Sequence, residues 1–162
     1  MRHTIFRDGV VAGVLGATAV AIWFFIVDMI AGHMLNTPAG LGKGLLNLFG
    51  PGLGERMGVA VFAYTVFHYV AFILVGLLAS VIVHWAERQP SVLAGAFILF
   101  VAVEIGFYAW SSILSPFLGA LSWLQVSVGN LIAALVMGVY LWKSHPALGH
   151  ELDMALSGDD AG

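Results

Sequence analysis

With 162 residues, 60% of them hydrophobic and only 9% charged, this chain cannot clothe a soluble domain in polar side chains, and it reads as a polytopic membrane protein. Its charge is slightly acidic, six Lys and Arg against nine Asp and Glu, and no basic cluster interleaves with aromatics, which excludes a nucleic-acid partner. Cysteine is absent, so disulfides, thiolate metal sites, iron–sulfur clusters and a cysteine nucleophile are excluded together.

Residues 1–8 form a polar cap with two arginines, Arg2 and Arg7. The apolar run from Gly9 to about Gly32 is long enough to cross ~30 Å of hydrocarbon, and it is too long for a signal-peptide core. Gly9, Gly13, Ala17 and Ala21 are spaced four apart, a small-residue ladder that lets another helix backbone come close in lipid. Asp28 lies seven residues after Ala21, on the same side, so it is expected to point toward packed helices.

Residues 33–57 are the one long connection. Gly and Pro alternate there with Leu41, Leu45, Leu46, Leu48 and Phe49, a pattern expected for a short amphipathic interfacial or re-entrant piece that ends at Gly50-Pro51-Gly52. Three further spans are predicted over 58–84, 91–114 and 119–142, joined by short turns that force antiparallel neighbours. The expected fold is all-α, a four-helix transmembrane up-down bundle forming one domain over 1–144, followed by an acidic tail over 145–162. Arg2, Arg7, Arg88 and Lys143 fall on one side and Lys43 and Arg56 on the other, which predicts both termini in the cytoplasm. Sliding the second span onto the fourth pairs His68 with Asn130 and Gly76 with Gly138, and sliding the first onto the third pairs Gly13 with Gly95, a faint hairpin repeat.

The third span carries Glu104, Tyr108, Ser111 and Ser115 at helical spacing, one continuous polar stripe. An ionisable group inside a span costs roughly 2.5–3.5 kcal/mol on insertion scales, so it faces protein or water by default. Rise per residue puts Glu104 ~20 Å from the cytoplasmic surface, and His68 and Asn130 ~15 and ~17 Å from the outer one. With Asp28 near the outer boundary and Tyr64 one turn from His68, these residues define a candidate buried polar cluster in the outer half of the bilayer. The remaining histidines, His84 and His145 among them, fall at span ends or outside the membrane, as interfacial or solvated side chains. Three readings of the cluster follow. The groups satisfy one another and fix helix register; or Glu104 and His68 pass protons or solute along the stripe; or His68, Glu104 and Asp28 hold a metal ion, with His33 as a fourth ligand that a regular helix would turn ~140° away from Asp28. A tetrapyrrole on His68 is the remaining cofactor reading, and no cofactor at all is the leading one. No catalytic motif is present, so an enzyme is not expected.

The segments Arg7-Asp8-Gly9-Val10-Val11-Ala12-Gly13 and Tyr64-Thr65-Val66-Phe67-His68-Tyr69, the latter leading to Gly76-Leu77-Leu78, resemble bacterial four-span inner-membrane proteins of unassigned activity. The resemblance implies a bacterial inner-membrane setting and nothing about chemistry. Expected contacts are membrane lipids and protein subunits or further copies of the chain. The functional expectation is an accessory or scaffold subunit that docks on a larger membrane complex. The alternative is a stand-alone proton or solute carrier, or a metal-binding protein, built on Asp28, His68 and Glu104.

Overall fold

A computed structural model of the chain describes residues 2–89, 91–118 and 123–146, and within them all side chains but those of 2, 3, 103, 106–118 and 123. The described residues form five helices and no strand: α1 (Arg2–Ile30), α2 (Asn36–Asn47), α3 (Met57–Ala86), α4 (Ser91–Leu118) and α5 (Trp123–Ser144). Three stretches are long and apolar enough to cross a membrane, Thr4–Ile30, Met57–Ala86 and Leu124–Ser144, and α4 adds a shorter apolar run over Ser91–Ala102. The expected polar cap is helical from Arg2 onward. Hydropathy marks where a helix becomes apolar, not where it starts, and nothing in 2–8 breaks propagation once a turn exists. The turn expected at 115–118 is the last turn of α4; Pro116 lacks one donor but has a helical φ.

α1 is the hub. It lies between α3 and α5 and runs antiparallel to both, because Gly9 and Gly13 meet Leu77 and Ile73 of α3, while Gly16 and Trp23 meet Met137 and Gln125 of α5. Its packed face is made of small residues. A Cβ on Gly9 would come within 2.7 Å of the Leu77 Cα, and one on Gly13 within 2.5 Å of the Ile73 Cα, so the two backbones touch directly. Gly76 answers from α3 against the backbone of Gly9 and Gly13. Toward one end of the bundle, Ala12, Val83, Ala86, Met137 and Leu141 close an apolar core. The paired glycines of the faint repeat do not share a role: Gly76 and Gly13 are packed backbone to backbone, whereas Gly138 and Gly95 face open space.

α1 ends in a Schellman turn. Gly32 takes the left-handed conformation (φ 78°), the His33 N–H reaches the Asp28 carbonyl and the Gly32 N–H reaches that of Met29. That reversal starts α2, which packs on α3, with Gly42 against the Ala60 carbonyl.

Candidate functional site: separate polar contacts and a lateral cavity

Asp28 is buried where α1 meets α2. Leu35, at the N-cap of α2, has no side chain able to cap, and adopts a left-handed φ of 64°. The cap comes instead from α1: Asp28 accepts hydrogen bonds from the Thr37 N–H (2.8 Å) and the Thr37 hydroxyl (2.7 Å). Asn36 donates to the His33 carbonyl, Ala39 to that of Leu35, and Pro38 has no N–H, so the first-turn donors of α2 are all served. The carboxylate also meets the positive end of the α2 dipole.

His68 is buried on α3 and turned toward α1. Its Nε2–H donates to the Ala17 carbonyl at 3.0 Å, and its ring stacks on Tyr64 and packs against Tyr69 and Phe72. Nearby, Thr18 donates to the Val14 carbonyl, so the Tyr69 hydroxyl is the donor in the 3.0 Å contact between Tyr69 and Thr18. On the other side of the hub, the Trp23 indole N–H reaches the Gln125 carbonyl at 2.9 Å, over the gap left by Gly129. Glu104 belongs to a third, distinct contact. Its Oε1 accepts from the Asn130 amide at 2.7 Å, linking α4 to α5, and its Oε2 is sealed with no partner among the described residues.

The predicted cluster is therefore divided. Asp28 caps α2, His68 crosslinks α3 to α1, and Glu104 with Asn130 joins α4 to α5. Among the described residues, no three His, Asp or Glu come together as metal ligands, so His68, Glu104 and Asp28 do not form the expected set. His33 is exposed and serves only the turn after α1. The side chains of Tyr108, Ser111 and Ser115 lie outside the described residues. Gly9, Gly13 and Ala17 are buried, whereas Ala21 is exposed and lines a cavity.

That cavity, of about 390 Å³, lies between α1, the start of α2 and α3. It runs along α1 from Thr18 to Asp28, ~15 Å of helix. Phe24, Phe25, Tyr64, His68 and Tyr69 supply aromatic walls, and Thr18, Thr37 and Thr65 supply hydroxyls. Ile22 and Phe25 line it and are also exposed on the outside, so it opens sideways from the bundle.

A second polar group forms at the end of the bundle that carries the N-terminus. Asp8 is only 3% exposed and accepts from the Arg7 Nε (3.2 Å) and the Tyr140 hydroxyl (3.4 Å). His145, just past α5, donates from Nδ1 to Glu87 at 2.7 Å and points Nε2 toward Asp8 at 3.8 Å, while His84 contacts the other Glu87 oxygen at 3.2 Å. Asp8, His84 and His145 are thus joined in the fold, where sequence reasoning expects solvated or interfacial groups. One signal for this is present in the chain: Asp8 stands one and two turns before Ala12 and Gly16, on the buried face of α1. His145 carries no such phase, since it follows the helix end.

No protein family, curated protein or solved structure matches this chain.

Proposed function

We propose that this chain is a small integral protein of a bacterial inner membrane, a four-span bundle with both termini in the cytoplasm, that serves as a non-catalytic accessory or scaffold subunit of a larger membrane assembly. One observation carries the reading. Three polar groups within the described helices each reach a different neighbour, His68 reaching Ala17, Trp23 reaching Gln125 and Asn130 reaching Glu104, and these contacts lie on different sides of the hub helix. A conducting path needs such groups in succession; a scaffold needs them as crosslinks. The broad apolar exterior, with Phe62, Phe67, Leu74 and Leu78 exposed on α3, supports contact with lipid and leaves area for subunits. The test is native mass spectrometry of the chain tagged in its own cell and extracted in mild detergent. A mass far above 17.2 kDa that contains foreign subunits is expected. A lone chain that still moves protons or solute after reconstitution overturns the reading in favour of the carrier.

A further inference from the structure

The cavity beside α1 ends in polar groups that the fold leaves unused. Because His68 donates from Nε2 to Ala17, the neutral ring presents Nδ1 as an acceptor, and no described residue serves it. The Tyr64 hydroxyl, one turn away on the same helix, has no partner among the described residues either. Both residues line the cavity, and His68 is 8% exposed. Thr65 and Thr18 spend their hydrogens on the carbonyls of Val61 and Val14, so they offer only oxygen lone pairs, one of which on Thr18 already accepts from Tyr69, whereas Tyr64 brings both a hydrogen and lone pairs. The floor thus holds more acceptors than donors, the Tyr64 hydroxyl being the free donor among the residues named, and it is walled by rings. In hydrocarbon, unsatisfied polar groups are costly, and a ligand that supplies hydrogens relieves the cost.

We infer that this cavity binds a neutral amphiphile with a flat, hydroxyl-bearing aromatic head, of the hydroquinone or phenol class, whose apolar tail leaves sideways between Ile22 and Phe25. Each element of the choice has its own reason. The hydroxyl donates to His68 Nδ1 and meets the Tyr64 hydroxyl. The ring lies against the Tyr64, Tyr69 and Phe24 walls, where aromatic pairs add to area burial. The cavity's volume falls within the usual range of ligand sites, ~300–1,000 Å³. Asp28 at the far end of the slot disfavours an anionic head such as a fatty-acid carboxylate. The site is independent of the accessory role; either stands without the other.

The test uses the full chain in nanodiscs of neutral lipid, titrated with decyl-hydroquinone, with its dimethyl ether and with dodecanoate, binding being read by calorimetry. Saturable one-to-one binding of the hydroquinone is expected, with the ether and dodecanoate weaker by about tenfold, the loss of one to two net hydrogen bonds. Tyr64→Phe, which removes one oxygen and leaves the ring, is expected to weaken the hydroquinone several-fold and to leave the ether unchanged. His68→Phe, if it folds, should abolish the preference. Equal binding of all three probes, no saturable binding of the hydroquinone, or indifference to Tyr64→Phe overturns the inference. Equal binding would make the cavity a slot for any hydrocarbon chain.

Discussion

Asp28 shows how one side chain can hold two elements together. It sits in the last turn of α1, where its negative charge faces that helix's own C-terminal carbonyls, an unfavourable position on dipole grounds. The Schellman reversal at Gly32 brings the N-terminus of α2 back onto it, and the Thr37 N–H and hydroxyl supply what Leu35 cannot. Removing a cap of this kind costs ~0.5–2 kcal/mol. Asp28→Ala should therefore speed amide hydrogen exchange across α2 while exchange in the middle of α3 stays slow. Asp28→Asn, which keeps one acceptor, should do so by less. Unchanged exchange at Thr37 in the alanine variant would show that the loop alone positions α2.

Between elements, close approach of small residues replaces the hydrophobic drive that lipid removes. The glycines allow a direct comparison. Gly13→Ala puts a methyl against the Ile73 backbone, which cannot rotate away, and should lower stability by ~1–3 kcal/mol. Gly95→Ala on α4 meets open space and should stabilise by up to ~1 kcal/mol through helix propensity alone. Melting temperatures in one detergent measure both, and equal shifts of the same sign would refute the assigned interface. The ladder on α1 was legible because small residues recurring every four positions leave a flat strip along one helix face, the shape that close backbone contact requires. That α1, and not the stripe-bearing α4, is the hub was not legible, since the apolarity of a helix does not say which other helices adjoin it. The same gap explains the divided cluster. Helical rise gives depth, and depth placed His68 near Asn130; but azimuth depends on which helices adjoin. With α1 between α3 and α5, His68 turns to Ala17 and Asn130 is left to Glu104. The Asp28–Thr37 contact was hidden for another reason: it depends on the reversal at Gly32, and spacing along the chain does not encode the direction of a loop.

Over the whole molecule the two ends are built differently. The end carrying the cavity is open and aromatic, and α2 is held there by Asp28. The opposite end is closed by polar contacts: Asp8 from α1, His84 and Glu87 from the end of α3, and His145 from beyond α5 meet in one group, directly over the apolar core of Ala12, Val83, Ala86 and Leu141. His145 is the joint, because it alone faces both carboxylates, and its connection to Glu87 is the shortest in the group. Surface ion pairs contribute little, but His145 and Asp8 are nearly sealed, so screening by water is weak here. A double-mutant cycle on Glu87→Gln and His145→Ala should accordingly give a coupling energy of ~0.5–3 kcal/mol, read from chemical or thermal unfolding in detergent. A cycle between His145→Ala and Thr37→Val, at opposite ends, should be additive within ~0.5 kcal/mol. If the first cycle also proves additive, His145 is packed and not paired, and the closure of that end falls to the apolar core and the Gly9–Gly76 contact alone. If the second couples, the hub helix transmits between its ends, and the closed end would influence the shape of the cavity at the other.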